Sequence, residues 1–356
     1  MNLEIAWYAI SFLTAFASVL AVTPLTIRIA QKFGIEDKPD GKLKKHTKVT
    51  PYLGGLAVVA GFVITFSLLS TTDVIDHRAL AVLSGGMMML FLGLFDDLAA
   101  FSPKVKFLGQ TVAAAALCKA GIGFDFPILG EWGNIALTIL WVTGVTNAFN
   151  IIDIMDGLAA GTACVAALFL FVISFALGDA VVPFMAIVLA GSLAGFLRFN
   201  FRPARIFLGD AGSLFIGYMM AVLPLLVTFD QNAYSFVTPI LICAVPIFDI
   251  AFVSFHRTLK GIPIYNGSPD HFVLRLKHRG VSIPATVVGT YHAGAIMGAL
   301  AVTLVLGPAE LAPWVVSAAV GIAMTAATLF STLPAPGTAA PAPAQSPALA
   351  EDSLAA

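Results

Sequence analysis

Charged residues are scarce in this sequence, and their scarcity excludes an ordinary soluble domain. Asp, Glu, Lys and Arg make up 11% of the 356 residues, and hydrophobic residues make up 59%. Soluble domains carry roughly a quarter charged residues and about half apolar ones. The net charge is only -1, which gives no reason to expect nucleic acid as a partner. The composition therefore predicts a membrane protein.

Cysteine is also rare. Cys118, Cys164 and Cys243 each lie inside an apolar run without a CxxC partner, which indicates neither a disulfide framework nor a zinc site. The first apolar run, residues 5–27, has no basic segment before it and is too long for the apolar part of a signal peptide, so we expect a retained helix. No internal repeat is visible, which disfavours transporter folds built from repeats.

Long apolar runs separated by polar breaks predict an all-α, polytopic transmembrane helical bundle. About 20 apolar residues are needed for a helix to cross a bilayer. The pattern gives about eleven such spans, with ten as the alternative. The eleven spans lie at 5–27, 52–71, 79–95, 107–122, 134–151, 158–177, 180–197, 207–229, 235–256, 283–306 and 311–332.

The Lys and Arg residues orient this bundle. If the odd-numbered spans run inward, 17 of the 19 cations fall in the breaks 28–51, 96–106, 152–157, 198–206 and 257–282, which we call the cation-rich face. The positive-inside rule makes that face cytoplasmic, with the N-terminus outside and the C-terminus inside. We expect residues 1–332 to form a single membrane domain. Residues 333–356 are rich in Ala and Pro, which predicts a disordered tail.

Five aspartates share the cation-rich face. Asp96 and Asp97 end the third span, and the others are Asp153, Asp156 and Asp210. Adjacent carboxylates at a helix end favour a divalent cation, although such a pair can also simply mark the end of the helix. Lys104 and Lys106 follow within two turns, where they could hold phosphate oxygens or act as ordinary cytoplasmic anchors.

The segment NAFNIIDIMDGLAAG holds the densest group of polar residues. Asn147, Asn150 and Asp153 recur every three residues, which predicts that they share one helix face, and Asp156 lies one turn further on. Gly157 would let the backbone approach a ligand or turn sharply. Amides and carboxylates at the edge of an apolar span are costly without partners, so this segment predicts a binding site.

The segment RPARIFLGDAGSLFIG places Asp210 at the start of a span, directly after a cluster of arginines that includes Arg198. A carboxylate at a helix N-terminus is consistent with a ligand site and also with plain helix capping. The sequence alone leaves both interpretations open.

The basic break 257–282 predicts a short amphipathic helix at the membrane surface, with Phe272 on its apolar side and Arg275 toward water. His271 could reach a phosphate from that helix. Asp249 lies about two turns inside the ninth span, after Pro246, which predicts a kink. Asp249 is either a functional carboxylate or a structural partner of an arginine.

Together with HTKVTPYLGG at 46–55, these segments resemble the polyprenyl-phosphate N-acetylhexosamine-1-phosphate transferases. That superfamily includes the phospho-MurNAc-pentapeptide translocase and the WecA-type and TagO-type GlcNAc-1-phosphate transferases. The resemblance covers residues ~35–280, and HTKVTPYLGG and FLRFNFRPARIFLGD look more like the WecA branch. One departure bears on the choice of sugar: WecA-type sequences tend to carry a His-x-His-His run where this chain has only His271.

The resemblance and the residue patterns together assign the candidate site. The catalytic candidates are Asp96, Asp97, Asp153, Lys106 and His271, with Asp97 closest to proton transfer. The substrate-binding candidates are Lys48, Asn147, Asn150, Asp156, Gly157, Phe207 and Arg198. Asp210 is the expected ligand of Mg²⁺, or of Mn²⁺ in its place.

The activity implied by the resemblance is transfer of GlcNAc-1-phosphate, or a related N-acetylhexosamine-1-phosphate, from a UDP-sugar to undecaprenyl phosphate with release of UMP. Phe207 would stack on the uracil. The resemblance also implies the bacterial inner membrane, a cytoplasmic active site and a role in cell-envelope glycan synthesis, such as lipopolysaccharide or teichoic acid, and it is compatible with a homodimer. Three alternatives stay open: a phospho-MurNAc-pentapeptide transferase, a secondary transporter that uses intramembrane carboxylates, and a relative that binds polyprenyl phosphate without turnover.

Overall fold

A computed structural model describes residues 2–37, 49–71, 74–99, 101–227, 234–263 and 269–335. These parts of the chain contain thirteen α-helices and one two-stranded antiparallel sheet. The helices are α1 (Asn2–Phe33), α2 (Gly54–Leu69), α3 (His77–Ala99), α4 (Pro103–Lys119), α5 (Gly130–Ile152), α6 (Leu158–Ala176), α7 (Val181–Asn200), α8 (Gly209–Val222), α9 (Thr238–Ile242), α10 (Ala244–Leu259), α11 (Phe272–His278), α12 (Ile283–Leu306) and α13 (Ala312–Ser331). The strands are β1 (Glu36–Asp37) and β2 (Thr50–Pro51).

Most of these helices have the length and composition of membrane spans. Among the described residues, eight qualify, namely α1, α3, α5, α6, α7, α8, α12 and α13, and a bent pair, α9 with α10, makes a ninth if it is counted as one span. The remaining predicted spans, 52–71 and 107–122, correspond to α2 and α4, of 16 and 17 residues. At 1.5 Å per residue these two helices are shorter than a ~30 Å hydrocarbon core. The prediction of an all-α polytopic membrane protein is confirmed.

Helices α7 and α8 form the centre of the bundle. In both, 83% of the apolar window is buried inside the protein, against 11% in α13. α7 packs against α1 and α6, and α8 packs against α3 and α5. Glycines permit close approach to α8, since Gly55 of α2 faces the backbone of Gly212 and Gly93 of α3 faces the backbone of Asp210. Both contacts lie at the first turn of α8.

The ninth predicted span is broken. α9 and α10 meet at an angle of 76°, with Cys243 between them. A bend in this span is confirmed, and it lies three residues before Pro246. A proline cannot donate to the carbonyl oxygen four residues earlier, here that of Ile242 at the end of α9, and its ring crowds that oxygen.

Helix α11 forms in the basic break as expected, but the prediction that Arg275 faces water is wrong. Its side chain is buried and donates to the backbone oxygens of Phe330 and Leu333, at 3.2 and 3.0 Å, and to Asp270 Oδ1 at 3.2 Å. Phe330 lies in the last turn of α13, where carbonyl oxygens have no partner within the helix and attract cations, and Leu333 follows two residues after the helix ends. Residues 336–356 of the predicted tail lie outside the described residues.

Candidate functional site

Asp97, near the end of α3, binds the N-terminus of α8. Its Oδ1 accepts a hydrogen bond from the backbone N–H of Asp210 at 2.9 Å, and its Oδ2 accepts one from Ala211 at 3.1 Å. The first N–H groups of a helix have no partner within the helix and carry partial positive charge, which stabilises a carboxylate there. The Asp97 side chain therefore fixes the first turn of α8, and Asp210 with it, against α3.

This close approach requires the glycine at position 209. Gly209 has φ +73°, and a Cβ atom there would lie 2.5 Å from the backbone oxygen of Tyr52 and 2.7 Å from Asp97 Oδ2. The Tyr52 hydroxyl in turn donates to the backbone oxygen of Asp97 at 3.1 Å. The predicted start of a helix at Asp210 is confirmed, because α8 begins at Gly209.

Lys106 of α4 lies between two carboxylates. Its Nζ donates to Oδ2 of Asp96 and to Oδ2 of Asp210, both at 2.9 Å. The carboxyl groups of Asp96 and Asp210 also contact each other, and Asp96 Oδ1 accepts from the backbone N–H of Phe101 at 2.6 Å. One lysine thus bridges two carboxyl groups that also contact each other.

The asparagines of α5 reach two different partners. Asn150 Nδ2 donates to Asp210 Oδ1 at 2.9 Å and to Ser213 Oγ at 2.8 Å. Asn147 forms an amide pair with Gln110 of α4, with distances of 2.6 and 3.3 Å, and Gln110 is fully buried. Asn150 therefore belongs to the group around Asp210, while Asn147 ties α5 to α4.

The predicted single helix face for this motif is only partly correct. α5 ends at Ile152, Asp153 is its C-cap residue, and Asp156 lies in the turn before α6. The chain turns there because Gly157, with φ +80°, precedes the first residue of α6. Asp153 and Asp156 thus project from a turn at the cation-rich face.

Asp153 still belongs to the same electrostatic group. Burial, together with the negative charges of Asp210, Asp97 and Asp156, raises the pKa of Asp153 to about 8. Asp156 accepts from the backbone N–H of Ala204 at 3.1 Å and faces the Arg202 guanidinium at 3.5 Å. The arginine-containing loop after α7 therefore holds the far end of the turn.

Two side chains that the sequence patterns missed anchor Gly157. Asn200 Oδ1 accepts from its backbone N–H at 3.0 Å, and the Tyr291 hydroxyl of α12 donates to its carbonyl oxygen at 2.6 Å. Asn200 Nδ2 also donates to the Ile206 carbonyl oxygen at 3.0 Å. Asn200, Tyr291 and Gln110 were not among the candidates, although Asn200 lies within the segment FLRFNFRPARIFLGD. Only the cost of burying an amide or a hydroxyl in an apolar span could have drawn attention to them.

Of the remaining substrate-binding candidates, Arg198 and Phe207 lie around this turn, and Lys48 lies outside the residues that the structure describes. Arg198 lines a cavity of about 280 Å³ whose walls are Leu197, Arg198, Phe201, Arg202, Pro203 and Arg205. Phe207 is half-buried, and its backbone bonds to Pro51 and Gly54 at 2.8 and 3.0 Å, which joins the loop before α8 to the start of α2.

His271 pairs with the carboxylate in the ninth span. His271 Nδ1 lies 2.7 Å from Asp249 Oδ2, and both side chains are buried. His271 is also the residue before α11 and accepts the backbone N–H groups of Leu274 and Arg275 at 3.0 and 3.1 Å. From the sequence, Asp249 is interpreted as a functional carboxylate or as a structural partner of an arginine. Its contact with His271 does not favour the second interpretation.

The residues near Asp210 suit a hard cation shared with a ligand. Within the described part of the chain, no set of three or more His, Cys, Asp or Glu side chains is arranged as a complete metal cage. Mg²⁺ commonly takes one or two protein carboxylates and completes its shell with water and substrate phosphates. The contacting carboxyl groups of Asp96 and Asp210, which share one lysine, supply oxygen donors of that kind.

Comparison with known proteins identifies relatives of the chain. Residues 79–228 match the family model for glycosyl transferase family 4. This range contains every candidate site residue except Lys48 and His271.

Three relatives are similar over most of their length. A probable undecaprenyl-phosphate N-acetylglucosaminyl 1-phosphate transferase of Bacillus subtilis (strain 168) is 37% identical over 304 residues, covering 83% of this chain and 84% of the relative. A decaprenyl-phosphate N-acetylglucosaminephosphotransferase of Mycobacterium tuberculosis (strain CDC 1551 / Oshkosh) is 31% identical, covering 67% of each chain. An undecaprenyl-phosphate alpha-N-acetylglucosaminyl 1-phosphate transferase of Yersinia pestis is 30% identical, covering 70% of this chain and 72% of the relative.

Proposed function

The chain belongs to glycosyl transferase family 4, and from this premise we propose that it transfers N-acetylglucosamine-1-phosphate, or a closely related sugar-1-phosphate, to a polyprenyl phosphate. The relatives named for this reaction act on undecaprenyl or decaprenyl phosphate. The sugar donor in the proposal is a UDP-sugar, and the second product is UMP.

One observation carries the proposal: Asp210 lies where three helices bring complementary groups together. α3 supplies Asp97 to the backbone of α8, α4 supplies Lys106 to the Asp210 carboxylate, and α5 supplies Asn150 to the same carboxylate. This arrangement offers both negative oxygens for a cation and a lysine for a phosphate. A reaction between two phosphates needs both.

The proposal includes Mg²⁺, with Mn²⁺ as a substitute, held by Asp210 and assisted by Asp96. When bound, the ion would neutralise charge on the donor diphosphate and polarise its phosphorus–oxygen bonds. The two carboxylates and Lys106 already contact one another, so the ligand positions are assembled by the protein.

In the proposed reaction an oxygen of the lipid phosphate forms a bond to the β-phosphorus of the UDP-sugar, and the bond from that phosphorus to the bridging oxygen breaks. The electron pair leaves with the bridging oxygen as UMP. A phosphate monoester has a second pKa of about 6, so the lipid phosphate is already ionised near neutral pH and no strong base is required.

Because the reaction needs no strong base, Asp97 is not required for proton transfer, and its position agrees with this. Because both of its oxygens accept N–H groups of α8, we assign Asp97 to holding Asp210 in place rather than to proton transfer. Lys106 and His271 are the proposed phosphate contacts. Asp153 and Asp156 present the turn at Gly157 to the nucleotide, and Arg198 offers its guanidinium in the neighbouring cavity.

The proposed topology has eleven spans, with α2 and α4 included, an N-terminus outside and a C-terminus in the cytoplasm. The distribution of 17 of 19 cations supports this orientation. The site aspartates lie at the breaks of the cation-rich face, so the UDP-sugar enters from the cytoplasm of a bacterial cell, where such nucleotides are made, and the reaction takes place at the inner membrane.

The test is an assay with purified full-length protein, Mg²⁺, undecaprenyl phosphate and a panel of UDP-sugars. We expect UMP and lipid-linked sugar phosphate to appear in equal amounts with UDP-N-acetylglucosamine, and Asp210→Asn to abolish both. UMP release that does not need the lipid, or no release with any sugar, would refute the proposal. Full activity of Asp210→Asn would refute the metal assignment alone.

A further inference from the structure

We infer that Asp249 is a positioning residue that holds the imidazole of His271 in one orientation and one tautomer for the reaction; this inference rests on the proposed function. The proposal adds a residue from the middle of the ninth span to the functional machinery. Asp249 lies outside the range matched by the family model.

The first observation is the contact itself. Asp249 Oδ2 lies 2.7 Å from His271 Nδ1, a short distance of the kind seen when a charged group takes part in a hydrogen bond. The exposed fraction of Asp249 is 0% and that of His271 is 4%. An ionised carboxylate can only accept, so in the proposed arrangement Nδ1 carries the proton and Nε2 is the ring nitrogen left to meet a ligand.

The second observation is the other oxygen of Asp249. Oδ1 is buried and has no hydrogen-bond partner among the residues that the structure describes. A buried polar atom without a partner costs folding free energy, so a carboxylate kept in this position requires a reason other than stability. Orienting the imidazole of His271 supplies that reason, because a single carboxylate oxygen is enough to orient the ring through Nδ1.

The third observation is that the rest of the segment fixes the backbone of His271 independently. Asp270, one residue before it, accepts Lys260 Nζ at 2.6 Å and Arg275 Nη2 at 3.2 Å. Phe272, one residue after it, stacks on Phe330 with ring centroids 5.1 Å apart. The fold therefore holds the segment without Asp249, and the carboxylate acts on the side chain of His271.

The experiment is a double-mutant cycle in the full-length protein, measuring kcat for UMP release. Asp249→Asn is expected to lower kcat by about 10- to 100-fold, the range found when the partner that orients a metal-bound imidazole is removed. In a His271→Gln background the same change should alter kcat by less than about 2-fold, because the ring that it orients is gone. Equal factors in both backgrounds would overturn the proposal.

Asp179→Asn is the matched control. Asp179 is a helix-capping carboxylate that accepts from the backbone of Val181 and Val182 at the start of α7, at the opposite end of that helix from Arg198. Its substitution should leave kcat unchanged. A large loss of kcat in this variant would mean that removal of any carboxylate disturbs the protein, and the Asp249 effect would then not support a specific role.

A measurement on the unmodified protein covers the case in which Asp249→Asn fails to fold. In protein labelled with ¹⁵N-histidine, the His271 signals are identified by their loss in His271→Gln. We expect Nδ1 to be protonated, and an unprotonated Nδ1 would overturn the proposal. This result does not depend on turnover, so it separates failure of the inference from failure of the proposed function.

Discussion

A single carboxylate, Asp97, and a single glycine, Gly209, decide where Asp210 lies. Asp97 can accept two N–H groups of α8 only because the backbone at Gly209 adopts φ +73° and leaves no Cβ between them. A side chain at position 209 would push α8 away from α3. The position of Asp210 relative to Lys106 would then change as well.

Gly209→Ala should therefore lower both stability and activity. Left-handed backbone at a residue with a Cβ costs about 1–3 kcal/mol, and the clash with Tyr52 and Asp97 adds to it. We expect a lower midpoint of thermal unfolding in detergent and loss of most UMP release. The control is Gly289→Ala in α12, where a Cβ meets open space and alanine is the better helix former. A Gly209→Ala protein that melts and turns over like the parent would contradict this role.

For individual residues, the sequence indicated which aspartates lie on one face, but it did not indicate their contacts. Asp96, Asp97, Asp153, Asp156 and Asp210 could be assigned to one face because each lies at a break between spans. That Asp97 caps α8, or that Gln110 pairs with Asn147, could not be predicted. Those contacts join residues 113 and 37 positions apart in sequence, and they depend on which helices are neighbours.

At the scale of elements, α3 is fixed at the end opposite the site by its own N-cap. Asp76 Oδ1 accepts from the backbone N–H of Ala79 at 2.8 Å, and its Oδ2 accepts from Arg78 Nε at 2.7 Å. Arg78 also faces Asp179 at 3.7 Å, which links this cap to the start of α7. Burial alone would raise the pKa of Asp76, but the hydrogen bonds from Ala79 and Arg78 outweigh it and hold the pKa below its usual value.

Asp76→Ala should lower the free energy of unfolding by about 1 kcal/mol, the usual cost of losing an N-cap. The folded-state pKa is depressed, so this contribution is present above the unfolded-state pKa of about 3.9 and is lost as the pH falls through the folded-state value. Thermal unfolding at pH 7 should therefore separate the variant from the parent, and the difference should shrink below pH 4. A difference that does not depend on pH would contradict a role for the ionised cap.

Apolar and polar patterns in the sequence predicted the helices but not how the helices cover one another. Long apolar runs indicated where the helices lie, because membrane helices are long and bounded by polar breaks. The amphipathic pattern placed Arg275 in water because a helical pattern carries no information about a later helix, and α13 covers that side of α11. Pro246 indicated a kink in the ninth span, but the 76° angle at Cys243 could not be predicted from the sequence.

In the molecule as a whole, the proposed reaction requires that all site residues open to the cytoplasm. Its basis is the distribution of the cations, and Arg78 and Lys119 are the two that lie elsewhere. The helices α7 and α8 are buried at the centre, so their ends at the site lie in the middle of that face rather than at its lipid-facing edge.

Orientation can be measured with two exposed positions, Glu131 at the start of α5 and Arg279 after α11. In separate Glu131→Cys and Arg279→Cys proteins, a membrane-impermeant maleimide should label position 279 only in inside-out vesicles and position 131 only in right-side-out vesicles. The parent protein controls for its three cysteines, which lie inside apolar helices or next to them. The reverse pattern would contradict the proposed topology.

The central claim is that a sugar leaves its nucleotide together with the β-phosphate. The most direct measurement follows a phosphorus label placed at either the α or the β position of UDP-N-acetylglucosamine during turnover by the purified protein with undecaprenyl phosphate. We expect the β label to appear in the lipid and the α label in UMP. Both labels remaining together in water-soluble UDP, with the sugar on the lipid, would contradict it.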